Sequence, residues 1–286
     1  MGNKLYLNSK ILDSYFYTRS PLFTGMDDLL LKGVDENKEA YLNEDIWKEL
    51  IKPKDIKRHF IKKSSFRVFF PYEIVEGKFN LIEENKFKKN YPKTYEYLVK
   101  FKEDLLKRKD SGRTFKQINR PWYALMRVGT PQDYFRDKII TLAVIKKVSF
   151  CIDKSKRLFP TGGTYGLISK DNSNLDIKYI YSLLNSKLFE YLLFASSVPK
   201  RGGYIAISAE GLKSLPIKEI SQKDQKPFIE LVERILSITN NKDYLADLEK
   251  QAIVRAYEKR IDKLVYELYD LNSEEIKIVD EYNKVN

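Results

Sequence analysis

The 286-residue sequence predicts an α+β fold, a mixed, twisted sheet with flanking helices, from two patterns. Short runs rich in β-branched and aromatic residues, FRVFF at 66–70, TLAVIKKVSFCID at 141–153 and GTYGLIS at 163–169, are bounded by turn-prone residues and read as strands. Beyond Pro227 the apolar spacing changes to that of helices. This change divides the chain into an α+β unit at 1–225 and a helical segment at 226–286, suited to bracing the first unit or docking a further subunit.

Along the chain, LFTGMDDLLL at 22–31 has a glycine inside an apolar run and reads as a short strand entering a loop, with no useful helix before it. WKELIKPKDIKRHF at 47–60 reads as a short helix broken near Pro53, because proline removes an amide donor and crowds the preceding turn. FRVFFPY is a strand ended by Pro71. Tyr95, Leu98, Val99, Leu105 and Leu106 fall near one face of a surface helix over 91–109. SGRTFKQINRPWY at 111–123 reads as a loop whose Trp122 and Tyr123 anchor it to a core, and KSKRLFPTGG at 154–163 as a turn between strands.

Ile180, Leu183, Leu184 and Leu188 recur at helical spacing, so one face of that helix is buried. The chain then turns through Lys200, Arg201, Gly202 and Gly203 into a strand. Phe228, Leu231, Val232, Ile235 and Leu236 form one stripe of the helical segment. Leu245, Leu248, Ile253, Ile261, Leu264, Val265 and Leu268 form a longer one. Asn272 followed by Glu275 has the spacing of a capping box and starts the last helix.

Composition narrows the function. Hydrophobic content of 43% and aromatic content of 13% are enough for a packed core. No apolar segment approaches the roughly 20 residues that span a bilayer, and MGNKLYLNSK lacks the apolar centre of a signal peptide, so no membrane partner and a cytoplasmic location are expected. One cysteine and one histidine exclude an intramolecular disulfide and a conventional structural zinc site. The net charge of +12 is unevenly placed: residues 51–170 hold 29 Lys/Arg against 12 Asp/Glu, while residues 1–50 and 221–286 each have a net charge of −3. A polyanion meets the centre of the chain first.

Four basic groups are therefore candidate DNA contacts. Lys54, Lys57 and Arg58 could follow a phosphate backbone. The loop with Arg113, Lys116, Gln117, Asn119 and Arg120 suits base readout: Arg donates two bonds to guanine O6 and N7, and Asn or Gln pairs with adenine N6 and N7. Lys154, Lys156 and Arg157 make a third group, and Lys200, Arg201 and Tyr204 a fourth. Arg127 is a further contact, and Arg136 a contact or a partner in an internal ion pair. Each has a plain alternative as a solvated charge or a structural turn. One rival reading is a nuclease in which Asp55, Glu76 and Lys78 hold Mg²⁺ and orient water. Another is a basic adaptor for an acidic protein.

The order of several blocks resembles the TaqI-like C-terminal specificity domains of DNA adenine-N6 methyltransferases and type IIG restriction-modification enzymes. The blocks are LIKPKDIKRH at 50–59, FFPYE at 69–73, YPKTYEYLVKFKEDLLKR at 91–108, the helix, glycine turn and LKSLPI of 179–217, and IDKLVYELYDLNSEEIKIVDE at 261–281. The resemblance implies sequence-specific recognition of double-stranded DNA by a target-recognition domain. The sequence has neither a glycine-rich methyl-donor turn nor an [NDS]-PP-[YFW] loop for a flipped adenine; its glycine cluster, Gly162, Gly163 and Gly166, lacks strand–turn–helix placement. The chain is thus expected to read DNA without catalysis or a cofactor of its own. S-adenosylmethionine, and Mg²⁺ for any cleavage, are expected on a partner or fused methyltransferase or nuclease domain.

Overall fold

A computed structural model describes residues 2–19, 22–33, 39–63, 66–130, 134, 136–155, 157–158 and 163–285. The α+β class is as expected. Among the described residues the strands are distributed over seven small sheets paired antiparallel, and the parallel contact is the single bridge Leu50–Leu158. The largest sheet orders Cys151–Asp153, Lys138–Leu142, Thr164–Ser169 and Phe16–Arg19 side by side.

Two apolar cores organise the molecule. One gathers the aromatic residues of 41–134, among them Trp47, Phe69, Phe87, Trp122, Tyr123 and Tyr134. Trp122 and Tyr123 are anchors as expected: the indole N–H donates to Glu84 at 2.8 Å and the phenol to the Ile82 carbonyl at 2.7 Å. The other core joins Phe16, Ile139 and Leu167 to Ile180, Leu183, Leu184 and Leu188, and continues into Val232, Val265 and Val279. The C-terminal helices thus share one core with the strands before them: Gln222–Thr239 packs on Ile177–Leu184 and on Leu248–Leu268, and Ser273–Val285 on Lys187–Ala195.

Local chemistry explains most element ends. Ser186 caps the second of two helices that meet at Asn185, whose amide bonds both backbone groups of Phe150 at 3.2 Å and ties the break to a neighbouring loop. Asn272 and Glu275 bond each other's backbone N–H at 2.9 and 3.0 Å, completing the expected capping box.

Three expectations are corrected. Residues 47–60 are a strand, Trp47–Glu49, followed by a single 3₁₀ turn, Pro53–Asp55: the buried Asp55 carboxylate accepts the Lys52 N–H at 2.9 Å, and a left-handed His59, φ 72°, prevents a helix from continuing. The helix over 91–109 is two short helices, Pro92–Val99 and Lys102–Lys107, with Leu98 and Leu105 fully buried. In the long C-terminal stripe, Leu245, Leu248 and Ile253 are exposed, because the helix starts at Leu248 and its inward positions are Val254, Ile261 and Val265.

Candidate nucleic-acid interface

The basic turn at 53–63 is fixed from beneath. The Arg58 guanidinium bonds Glu258 at 2.6 Å, the Val148 carbonyl at 2.7 Å and the Asn185 carbonyl at 2.9 Å. Its neighbour His59, 3% exposed, lies between the Tyr181 hydroxyl and Glu258, each at 2.6 Å. Burial pushes the His59 pKa down, so the imidazole is neutral. Burial by itself would raise Glu258, but the His59 hydrogen bond and the Arg58 charge outweigh it and hold the carboxyl well below its usual range. Arg58 therefore braces the turn against the C-terminal helices. Lys54 is exposed and sits over the Phe66 ring at 4.5 Å, and Lys57 is half-buried.

The 153–158 turn lies against this one. Arg157 reaches the Lys62 carbonyl at 3.4 Å, and Cys151 donates to the Lys57 carbonyl. Arg157 also bonds Asp153 through Nε at 3.1 Å and a terminal nitrogen at 3.0 Å, while the fully buried Lys138 ammonium meets the same carboxylate at 3.1 Å. The Arg157 guanidinium is thus engaged internally. Lys154 is exposed beside it, and Lys156 lies outside the described residues.

The 108–127 segment is a braced platform. Lys109–Asp110 and Arg113–Thr114 pair as a tight hairpin in which Ser111 and Gly112 both have positive φ, the geometry that a two-residue hairpin turn of this hand requires. The buried Arg108 donates to the carbonyls of Leu105, Thr24, Trp122 and Ala124. Burial and the nearby Arg120 charge lower its pKa to about 10, leaving it charged at neutral pH. The Phe115 ring has a guanidinium near it from each of two arginines, Arg108 at 4.3 Å and Arg120 at 4.6 Å. Arg120 also bonds Asp110 at 3.0 Å and the carbonyls of Leu125 and Met126 at 2.5 and 2.9 Å. These bonds hold the loop in shape.

Arg113, Lys116, Gln117 and Asn119 are exposed on this platform. The Gln117 amide oxygen accepts the Thr114 N–H at 2.8 Å and hydroxyl at 3.1 Å, which leaves its NH₂ group but no free acceptor for a two-bond pairing with adenine. Asn119, left-handed at φ 53°, keeps the amide suited to that pairing. Arg127 is exposed on a backbone bridge to Phe23, and Arg136 pairs with Asp171 at 2.6 Å.

The hairpin Val198–Lys200 and Tyr204–Ala206 turns through Gly202 and Gly203, both at φ 75°, and pairs with Val144–Ile145. Lys200, Arg201 and Tyr204 are exposed, and the Lys146 ammonium lies 4.8 Å from the Tyr204 ring centre. Lys146 and Lys147 connect this hairpin to Arg58, with which they line one cavity. The sequence pattern missed these two because they sit inside an apolar run read as strand; the Lys-Lys pair between Ile145 and Val148 was the available signal. The acid–lysine reading is not assembled: Asp55 caps a buried turn, whereas Glu76 and Lys78 are exposed at the end of the Tyr72–Leu81 hairpin. Among the described residues no group of three acidic, histidine or cysteine side chains could hold a metal ion. No helix among them is long and apolar enough to cross a membrane.

The geometry is that of an α+β scaffold whose braced loops present Lys, Arg and Asn to solvent. A family profile described as the TaqI-like C-terminal specificity domain matches residues 48–217, and the chain belongs to that family. It is 26% identical over 243 residues to the type II restriction enzyme and methyltransferase RM.Eco57I of Escherichia coli, covering 78% of this chain and 24% of that protein. It is 27% identical over 237 residues to the type II methyltransferase M.MjaIV of Methanocaldococcus jannaschii, covering 80% of this chain and 74% of that protein. The fold matches the type IIL restriction-modification enzyme MmeI, solved in complex with DNA, with a TM-score of 0.66 at 15% identity, over 94% of this chain and 35% of that one. The chain thus spans about a quarter of the Escherichia coli relative and about a third of the matched MmeI chain.

Proposed function

We propose that this chain recognises a short double-stranded DNA sequence for an adenine-N6 methyltransferase of a restriction-modification system, in the cytoplasm. It has no catalytic centre of its own. The observation that carries this reading is the braced 108–127 platform, which holds Arg113, Lys116 and Asn119 exposed inside the segment that defines the family. Donors held on a rigid support can meet base edges without first ordering a loop. Lys54, Lys57, Arg127, Lys154, Lys200, Arg201 and Tyr204 supply backbone contacts that position the domain. S-adenosylmethionine, and Mg²⁺ for any cleavage, belong to a partnered or fused catalytic domain; in this chain the buried carboxylates of Asp55 and Asp153 and the half-buried one of Glu258 are occupied by caps and internal ion pairs.

Selection from a randomised duplex library tests the reading. Enrichment of one short motif is expected, with Arg113→Ala or Asn119→Ala relaxing the preference at a single position. A pool that stays random refutes it, and binding that duplex DNA cannot displace from an acidic protein favours the adaptor.

A further inference from the structure

The helix Leu248–Leu268 borders a cavity of about 270 Å³ with Arg58, the Lys146–Lys147 loop and one face of the helix Lys187–Ala195. Its three carboxylates already have partners. Glu258 holds Arg58 and His59, Glu190 accepts the Val148 N–H at 3.0 Å, and Asp262 accepts the Lys187 N–H at 2.9 Å. Six cations line the same space, so positive charge exceeds negative by three. Arg58 and Lys187 have internal counter-ions in Glu258 and Asp280, each at 2.6 Å. Lys147, Arg255 and Lys259 are exposed, with no carboxylate within ion-pair distance among the described residues.

A concave site with surplus cations over low-dielectric walls attracts an oxyanion more strongly than scattered surface lysines do. Size then limits the ligand. Sites for whole small molecules and cofactors run to about 300–1,000 Å³, and this cavity falls below that range while still admitting a phosphate with its sugar. Phe194 supplies an apolar wall for the sugar.

We propose that this cavity binds a single phosphate group, held by Lys147, Arg255 and Lys259 above the fixed charge of Arg58. Two sources present that group. A backbone phosphate of duplex DNA would make the site part of the recognition surface, and in that form it rests on the function proposed above. A free phosphorylated small molecule would make it a separate ligand site.

The test titrates the full chain with inorganic phosphate by NMR, with chloride at matched ionic strength as control, and measures duplex binding in parallel. Saturable binding of phosphate but not chloride is expected. Arg255→Glu and Lys259→Glu, both at exposed positions, should each weaken phosphate by roughly tenfold or more, as loss of a charge-assisted contact does. Asp262→Asn, which removes a negative charge from the wall, should strengthen it. Parallel loss of phosphate and DNA binding supports the site with the DNA backbone as its source. Loss of phosphate alone supports it with a free ligand. Phosphate binding without any DNA binding by the unaltered chain supports the site and overturns the function proposed above. Absence of saturable phosphate binding, or variants that bind as the parent does, overturns the site.

Discussion

Asp153→Ala should be among the most damaging single changes in this molecule. The carboxylate, fully buried, accepts from Arg157 Nε and a terminal nitrogen, from the backbone N–H of Ser155 and Arg157, and from the fully buried Lys138 ammonium at 3.1 Å. Its removal strands the Lys138 charge, whose pKa burial already lowers. Deleting one partner of a buried pair costs about 3–5 kcal/mol, because the remaining charge keeps its desolvation penalty. At about 2–4 °C per kcal/mol for a chain of this size, the thermal midpoint should fall by roughly 6–20 °C. Differential scanning calorimetry measures it. Lys138→Met combined with Asp153→Leu should recover only part of the loss: the fully buried charge pair is gone, but Arg157 and the N–H groups of Ser155 and Arg157 lose their acceptor. A fall of less than about 2 °C for Asp153→Ala, near the effect of a 1 kcal/mol change, would refute the buried cluster as the support of the 153–158 turn.

Burial raises the Asp262 carboxyl to about 6, above its ordinary 3.8. The native state therefore binds more protons than the unfolded one between these values, so this group's contribution to stability falls as pH rises from about 4 through 6; Asp262→Asn should gain roughly 2–3 kcal/mol at pH 7 in urea unfolding and nothing below pH 4. Cys151, with its thiol pushed up to about 12 by burial, should resist a disulfide-exchange reagent at pH 8 in the native chain and react fully in denaturant. Lys154→Ala should weaken all duplexes equally and reduce the salt slope by about 1, whereas Asn119→Ala should change the preferred sequence; fluorescence anisotropy over a salt series separates the two.

Much of the fold was legible because its pattern is local. The buried face of Ile180–Leu188, the strands at 66–69 and 164–169, the Gly202–Gly203 turn and the Asn272–Glu275 box follow from neighbours within a few residues. The errors have tertiary causes. Leu248 has helical spacing but no partner surface, and the 47–60 segment is shaped by a cap and by His59 contacts 122 and 199 residues away. The candidate site divides in the same way. Charge density located the basic turns, but nothing in the spacing marks Arg58, Arg120 and Arg157 as braces, because Glu258, the Leu125 carbonyl and Asp153 act on them only after folding.

Whether this chain distinguishes DNA sequences is decided by competition binding. The motif enriched from a random library and a scrambled duplex of equal length are compared for affinity at physiological salt. A preference of roughly a thousandfold or more for the motif is expected, the lower end of sequence-specific proteins, with salt weakening both. Equal affinities with the same salt slope would contradict it and leave only a basic surface.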